Sequence, residues 1–432
     1  MRPLPIGVLS AVFAAACGVG YAGYVGYDST FALIWGRRLA HGESPRFDGP
    51  FSPAPHPLLN VVGALLAPLG SAGAERALEV LALASMVLLG VAAFRLGAAL
   101  FSPLAGAACA LLMITRPEIV TLALFTQFDV AFLALVVLAA ALEAENPRRA
   151  VAPLVALTFA GLLRPEAWII AGAYALYLRR PRMLALAAAA PLLWALHDVL
   201  LTGDPLFSLH GTQDFAARHQ EGNGIRAALR LAPNFVLDVT GAVVALGGVA
   251  GWLLVRREEQ RRVALPAALF GLSVLPFLAY GALGLTLYSR FLLPAAAALI
   301  VLCAAGATGW ARRWATPLVA VAVAVSLPFA LADLADVRDE RSHRADAQAE
   351  LVELVAANRA VAVRCGLVHV PDFRLVPPLM HRLDLPGERF SDRATEARPA
   401  LDVEIVALQP AAAAGRPPAL AQSGSWRLRA GC

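Results

Sequence analysis

The sequence predicts a polytopic α-helical membrane protein of about 11 transmembrane helices, with a small C-terminal extracytoplasmic α/β domain. Apolar residues make up 59% of the 432 residues, the mean hydropathy is +0.66, and only 16% of the residues are charged. A soluble chain of this length could not bury that much apolar surface, whereas a membrane protein exposes it to lipid. The long apolar segments stop near residue 332. We therefore expect a transmembrane module at residues 1–332 and a separate domain at residues 333–432.

The apolar segments differ in length, and the length decides which of them can span. Residues 5–26 form the first segment, where an uncleaved helix is favoured over a cleaved signal peptide. Residues 58–69 are too few to cross a hydrocarbon core of about 30 Å at 1.5 Å per residue, so we interpret this segment as re-entrant or interfacial. The other candidate spans cover residues 77–100, 103–116, 119–142, 150–163, 166–178, 183–201, 233–255, 263–284, 287–308 and 315–332.

The arginines in the short connections predict the orientation in the membrane. If residues 58–69 do not span, the arginine clusters all fall on the same side as Arg2, which the positive-inside rule assigns to the cytoplasm. The N-terminus is then cytoplasmic, and residues 27–59, a loop at about 197–233 and the C-terminal domain lie outside. The clusters are Arg148 and Arg149; Arg179, Arg180 and Arg182; Arg256, Arg257, Arg261 and Arg262; and Arg312 and Arg313.

The C-terminal residues combine helical and strand patterns. Residues 340–359 predict an amphipathic helix, and residues 361–364, 402–408 and 426–429 predict strands. Residues 411–418 have the composition of a flexible loop. Cys365 and Cys432 would both face an oxidising compartment, so a disulfide between them is one of two open alternatives.

The stretch of residues 27–59 is the first candidate for chemistry. It follows the first apolar segment at once, so we expect Asp28 where the helix leaves the bilayer. A carboxylate there could act as a general base toward a sugar or lipid hydroxyl. Simple solvation of an acid at the interface is the alternative. The rest of the stretch is rich in aromatic residues and proline and carries further polar residues: His41, Glu43, Asp48 and His56.

A second acid is expected near the next outer turn, at Asp129 or at Glu118. Asp129 falls about one helical turn inside an apolar segment, where an ionisable group costs about 3 kcal/mol on insertion scales and is usually functional or paired. An ion pair with Arg116 or Arg164 is the structural alternative.

Arginines at membrane depth are the third candidate element. Arg164 interrupts a helical hairpin, and Arg290 lies at the outer end of a span. Guanidinium groups bind phosphate bidentately and keep their charge, which suits a lipid phosphate. Snorkelling of these side chains to the headgroups is the alternative. We expect Tyr288 and His56 to contribute to substrate binding, and His210 in the predicted outer loop to add to the phosphate site.

Several classes of site are disfavoured by composition. The chain has no lysine, and therefore no Walker-type Gly-Lys pair. It has no Cys-x-x-Cys or His-Glu-x-x-His pattern, so no cofactor or dedicated metal site is predicted, although a divalent metal held by Asp28 and Asp129 stays open. The net charge of +5 is dispersed and indicates no nucleic-acid partner.

With these residues in hand, the chain resembles the bacterial GT-C superfamily of membrane glycosyltransferases. That group includes protein O-mannosyltransferases, lipid A aminoarabinose transferases and actinobacterial arabinofuranosyl- and mannosyltransferases. The matching features are the aspartate after the first span, the outer loop ending in His-Pro-Leu, the second acid, the Arg-Pro-Glu hairpin, the Tyr-Ser-Arg-Phe-Leu-Leu-Pro segment and the polar C-terminal domain. They cover most of residues 1–332.

The resemblance implies a GT-C-type catalytic module that performs an inverting transfer from a polyprenyl-phosphate sugar at the outer membrane surface. Asp28 matches the catalytic base, and Asp129, or alternatively Glu118, matches the second acid. Arg164 and Arg290 are the candidates for the lipid phosphate. The expected acceptor is a cell-envelope glycan, glycolipid or protein, and the expected location is the bacterial inner membrane. The competing interpretations are a transporter or flippase of lipid-linked sugars and a non-catalytic envelope-assembly protein.

Overall fold

The structure is a computed structural model, and it describes residues 3–18, 24–49, 52–219, 224–254, 260–310, 314–392, 400–405 and 419–432. The α-helices are α1 (Pro3–Gly18), α2 (Tyr27–Ala40), α3 (Pro57–Leu66), α4 (Gly70–Leu100), α5 (Pro103–Ile114), α6 (Pro117–Leu124), α7 (Asp129–Glu145), α8 (Val151–Leu163), α9 (Glu166–Leu178), α10 (Pro181–Thr202), α11 (Phe207–His219), α12 (Ile225–Thr240), α13 (Ala242–Leu253), α14 (Gln260–Ala282), α15 (Leu293–Ala305), α16 (Ala315–Ala357), α17 (Arg359–Cys365) and α18 (Val376–Leu383). The strands are β1 (Val368–His369), β2 (Phe390–Ser391), β3 (Leu401–Ile405), β4 (Ala419–Ser423) and β5 (Trp426–Ala430).

Some features predicted from the sequence cannot be compared with the structure. Residues 411–418, and the arginines Arg2, Arg256, Arg257, Arg312 and Arg313, lie outside the described residues. The predicted orientation of the chain in the membrane therefore stays a prediction.

The chain divides into two compact units that are each discontinuous in sequence. Unit 1 consists of Met1–Gly20, Ala54–Leu59 and Glu79–Arg338, and unit 2 consists of Tyr21–Pro53, Asn60–Leu78 and Asp339–Cys432. Unit 2 thus combines the C-terminal residues with two segments from the first fifth of the chain. The predicted division at residues 332 and 333 stays a prediction.

Unit 1 supplies most of the apolar helices. In the described part of the chain, five helical stretches are long and apolar enough to span a membrane, or up to seven if each of two bent helix pairs is counted as one span. Three shorter apolar helices, Ile6–Ala16, Val151–Leu163 and Glu166–Leu178, accompany them. A multi-pass α-helical membrane architecture is therefore confirmed, whereas the predicted number of eleven spans is not.

The secondary structure of two segments differs from the one predicted from the sequence. The predicted segment 119–142 is two helices, α6 and α7, and Thr126 between them adopts a positive φ of 53°. The stretch predicted as an outer loop, residues 197–233, is largely helical where the structure describes it, with the end of α10, all of α11 and the first half of α12. Its position at the outer face stays a prediction. Its helices carry polar residues on one face, which gave the whole stretch the average composition of a loop.

The C-terminal part of unit 2 is a five-stranded mixed sheet packed with helices. The strand order is β2-β1-β3-β5-β4, with parallel pairing of β1 to β2 and β3 and antiparallel pairing among β3, β5 and β4. The strand predicted at 426–429 is confirmed by β5, and residues 402–405 of the strand predicted at 402–408 are confirmed by β3, while residues 406–408 lie outside the described residues. The strand predicted at 361–364 is wrong: these residues belong to α17, which ends at Gly366 with a positive φ of 79°. Alternating valines indicated a strand there, but a glycine in the left-handed region is a helix C-terminal signal.

Helix α2 belongs to the core of unit 2. It runs for 14 residues, and its buried side chains Phe31 and Trp35 pack in one cluster with Val355, Leu379 and Leu428. The Trp35 indole also donates a hydrogen bond to the Arg46 carbonyl oxygen at 3.0 Å. The fully buried Trp35 and Phe31 therefore fix the position of the helix that begins with the candidate base.

A disulfide joins Cys365 to Cys432, with the two Cα atoms 5.2 Å apart. It links Cys432 to the last residue of α17. Of the two alternatives that the sequence left open, bonded or free cysteines, the structure has the bonded one. A disulfide persists in an oxidising compartment.

Cys432→Ser is expected to lower the free energy of unfolding of unit 2 by about 4 kcal/mol, because the bond closes a loop of 67 residues. Thermal unfolding of the full chain in detergent, with and without reductant, measures the effect. Reductant should lower the wild-type Tm to that of the variant and leave the variant unchanged. A wild-type Tm that is insensitive to reductant and equal to that of the variant would contradict a stabilising bond.

Candidate functional site

Asp28 is held at the start of α2. It lies in the first helical turn, is partly exposed, and is followed by the buried Thr30, whose hydroxyl donates to the Gly26 carbonyl oxygen at 2.9 Å. The positive end of the helix dipole favours an ionised carboxylate at this position. Burial raises the pKa of the neighbouring Tyr27 hydroxyl, and the negative charge of Asp28 adds to this rise. A partly exposed carboxylate can accept a proton from a hydroxyl group within hydrogen-bond reach, as a general base does.

Unit 1 contains a buried ion-pair network around Asp129, the first residue of α7. Arg164, at the C-terminal end of α8, donates from Nη1 to Asp129 Oδ1. Its Nε and Nη2 donate to Glu166 Oε1 at 3.1 and 2.8 Å. The side chain of Arg164 is only 6% exposed, that of Asp129 is 0% exposed and that of Glu166 is 2% exposed. The ion pair with Arg164, which the sequence left as the structural alternative for Asp129, is thus present.

Arg290 lies beside the same network but is more accessible than Arg164. It lies in the 3₁₀ turn Ser289–Leu292, and its Nη1 is 3.8 Å from Asp129 Oδ2 and 2.8 Å from Gln127 Oε1. Its guanidinium also lies 5.0 Å from the centre of the Tyr288 ring. The Arg290 side chain is 23% exposed, against 6% for Arg164. Of the two arginines predicted to bind phosphate, Arg290 is therefore the one able to meet a ligand.

Glu118 joins this region through the residue before Arg290. The Ser289 hydroxyl donates to Glu118 Oε1 at 3.4 Å, a long hydrogen bond between the first turn of α6 and the 3₁₀ turn. The structure thus brings both candidates for the second acid to the neighbourhood of Arg290. Asp129 contacts the guanidinium itself, whereas Glu118 contacts the neighbouring serine.

His56 lies in an aromatic environment at the edge of this network. Its ring centre is 4.3 Å from that of Phe128 and 5.4 Å from that of Trp194. Burial, reinforced by the positive charge of Arg164, lowers the pKa of His56 to about 3, so the ring is neutral at pH 7. Its Nδ1 has no hydrogen-bond partner among the described residues. A neutral imidazole can exchange a hydrogen bond with a hydroxyl group without adding charge.

His210 lies apart from these contacts. It is on α11 with an exposed side chain, and its Nδ1 is 2.7 Å from Asp204 Oδ2. The backbone N–H of Leu206 and the His210 side chain lower the pKa of Asp204. The expected contribution of His210 to a phosphate site stays a prediction.

Metal ligands do not converge in the described residues, where no group of three or more His, Cys, Asp or Glu side chains is placed to hold an ion. The buried carboxylates of Asp129 and Glu166 pair with the guanidinium of Arg164.

Comparisons with known proteins place this geometry in a recognised fold. No protein-family model matches the chain, and no curated protein sequence matches it. The structure is similar to that of ArnT from Cupriavidus metallidurans in the apo state, with a TM-score of 0.58 and 13% sequence identity over 99% of this chain and 98% of that one. It is similarly close to the same protein bound to undecaprenyl phosphate, with a TM-score of 0.57 and 14% identity over 100% and 97% of the two chains. The GT-C fold predicted from the sequence is confirmed.

The GT-C fold extends over both units, since the match covers nearly the whole chain. Within this fold, sequence reasoning missed two partners of the site. Glu166 had a detectable signal, because the proline between Arg164 and Glu166 forms a tight corner at which side chains two residues apart can pair. Gln127 had none, since an uncharged residue before a helix is common and its contact with Arg290 depends on tertiary structure.

Proposed function

We propose that this protein is an inverting glycosyltransferase that moves a sugar from a polyprenyl-phosphate donor to a cell-envelope acceptor at the outer face of the membrane. One observation carries the proposal: a partly exposed arginine, Arg290, adjoins a buried carboxylate–guanidinium network at the ends of apolar helices. The GT-C fold adds support, because a structure with the same fold, ArnT, is solved bound to undecaprenyl phosphate.

In this proposal, Arg290 binds the phosphate of the donor lipid. The Arg290 guanidinium is 23% exposed and can therefore reach a lipid phosphate, whereas Arg164 is 6% exposed and directs three donor nitrogens to carboxylates. A guanidinium beside a phosphate stabilises the negative charge that grows on the leaving group in the transition state. Arg164 then acts as a positioning residue that holds Asp129, and Asp129 orients Arg290 or the substrate.

The proposed reaction is a single displacement with Asp28 as the general base. Asp28 takes the proton of an acceptor hydroxyl, and the acceptor oxygen forms a bond to the anomeric carbon. The bond from that carbon to the phosphate oxygen breaks on the opposite face, and polyprenyl phosphate leaves with the electron pair. The configuration at the anomeric carbon is inverted. The neutral His56, with Tyr288 and Glu118, contributes hydrogen bonds to the substrate.

The class of sugar and the cellular location are proposed on the same basis. The resemblance favours mannosyl or arabinofuranosyl donors, so the protein is proposed to be a hexosyl- or pentosyltransferase of the bacterial inner membrane. The disulfide between Cys365 and Cys432 supports an extracytoplasmic position for the C-terminal domain, since disulfides persist in oxidising compartments. With the predicted odd number of spans, the N-terminus is proposed to be cytoplasmic.

An in vitro assay of the purified protein in lipid tests this function. Radiolabelled polyprenyl-phosphate mannose and polyprenyl-phosphate arabinose are each offered with a cell-envelope extract as acceptor. Transfer of label with inversion supports the proposal. Movement of an intact labelled donor across proteoliposomes without transfer would instead indicate a flippase.

Arg290→Gln is expected to lower kcat/KM for the donor by about 10²–10³-fold, because the variant loses the charged donor that stabilises the leaving phosphate. Steady-state kinetics with the polyprenyl-phosphate donor measures the change. Arg95→Gln is the matched control in unit 1, since Arg95 pairs with Glu145 at the exposed surface. Equal kinetics for Arg290→Gln and the wild type would remove Arg290 from the phosphate site.

A further inference from the structure

Helix α12 combines a packed inner face with an unusual outer face. On the inner side, Ala228 is fully buried and packs in a cluster with Phe277 and Leu292, with the partly buried Phe235 against it. On the outer side, polar residues recur at every fourth position, and all four are exposed: Arg226, Arg230, Asn234 and Asp238. Residues four apart share one face of a helix. This polar row is continuous over the length of α12.

The next helix runs in a very different direction and has a different composition. Helices α12 and α13 are bent by 103° at Gly241, where a φ of 78° allows the sharp turn. The 12 residues of α13 are apolar throughout. Two helices at this angle cannot both follow the membrane normal, so at least one of them is strongly tilted toward the membrane plane.

The polar row identifies α12 as the helix in the plane. If α12 ran through the hydrocarbon, the exposed Asp238 and Asn234 would face acyl chains, and a single aspartate at that depth is already disfavoured by about 2.5–3.5 kcal/mol. The exposed residues of α13, Leu246 and Leu253 among them, are apolar and suit that environment. Helix α12 therefore lies at the interface, as amphipathic helices with basic polar faces do.

Two arginines of α12 carry charge that no described acidic side chain pairs with. Arg226 and Arg230 are one helical turn apart, and neither forms an ion pair within the part of the chain that the structure describes. The exposed Ile225 and Leu229 lie beside them, at 43% and 59% exposure, and can enter the acyl region while the guanidinium groups stay at headgroup level. Basic residues at this level attract anionic headgroups.

We propose that Arg226 and Arg230 form a binding site for the phosphate groups of anionic membrane phospholipids. The paired guanidinium groups match phosphate oxygens in charge and in hydrogen-bonding geometry. Neither arginine forms an ion pair with Asp129 or Glu166, and the proposal does not depend on the proposed transferase function.

Native mass spectrometry of the full-length protein, titrated with phosphatidylglycerol or with phosphatidylcholine, tests the lipid site. The wild type is expected to prefer phosphatidylglycerol, and Arg226→Gln with Arg230→Gln should lower that preference by about fivefold for each arginine removed. Arg359→Gln with Arg364→Gln makes the same change of charge at exposed positions of α17 and should leave it unchanged. No preference in the wild type, or an equal loss in both double variants, would overturn the proposal.

Spin-label depth measurements test the orientation of α12 independently of lipid binding. Leu229→Cys and Leu237→Cys each place a nitroxide on the exposed face, about 12 Å apart along the helix axis. Both labels should lie at the same depth if α12 is in the plane. A depth difference close to their full separation would show that α12 crosses the membrane, and this would overturn the headgroup site.

Discussion

Asp28→Asn is expected to lower the rate of sugar transfer by about 10²–10⁴-fold, the range that general-base catalysis usually contributes. Asparagine has the shape of aspartate but cannot accept a proton from an acceptor hydroxyl at neutral pH. The helix that carries it should persist, because Phe31 and Trp35 hold α2 in the core of unit 2. The loss of a carboxylate from the helix N-terminus costs only about 0.3–1 kcal/mol of stability. The expected result is therefore a folded protein without transferase activity.

The control for Asp28→Asn is a second aspartate variant in unit 2. Asp384→Asn removes an equal charge from a side chain that is 81% exposed and pairs with Arg37 at the surface. It should keep full activity. Donor binding, measured separately by retention of the labelled lipid, should be similar in Asp28→Asn and the wild type. Transfer that survives in Asp28→Asn would exclude Asp28 as the base and leave the class of enzyme standing.

The position of Asp28 could be predicted from the sequence, whereas the packing of the helix that carries it could not. The position of Asp28 after an apolar segment was readable, because the end of a hydrophobic run is a local property of the chain. The length and the packing of α2 were not. Phe31 and Trp35 are buried by residues more than 300 positions later, such as Val355 and Leu379, and no local pattern reports a contact of that kind.

The network around Asp129 shows the same division. A buried acid in an apolar segment needs a cation, so an ion pair of Asp129 with Arg116 or Arg164 could be expected from the cost of burying charge, and the structure shows that the partner is Arg164. The difference in exposure between Arg164 and Arg290 could not be predicted from the sequence. Arg164 is enclosed by two carboxylates and Arg290 is partly exposed, and this difference arises from the corner at Pro165 and from the 3₁₀ turn at Ser289–Leu292.

Arg164→Leu is expected to lower the free energy of unfolding of unit 1 by about 3–5 kcal/mol, the cost of removing one partner of a buried ion pair. The variant leaves the carboxylates of Asp129 and Glu166 buried and without their shared cation. Thermal unfolding in one detergent measures the loss. Arg382→Leu is the matched control, since Arg382 pairs with Glu75 at 41% exposure, and such surface pairs contribute about 0–1 kcal/mol.

A triple variant separates the cost of unpaired charge from the loss of packing. Arg164→Leu combined with Asp129→Asn and Glu166→Gln removes the cation and both negative charges together, so most of the stability should return. Transfer activity should not return with it, because Asp129 and Arg290 would no longer be held in their present geometry. If activity recovered along with stability, the network would be a structural support alone, and Asp129 would be excluded as the second acid. If Arg164→Leu were no more destabilising than Arg382→Leu, solvent would have to reach the carboxylates, and the network would not be the closed ion pair that positions Arg290.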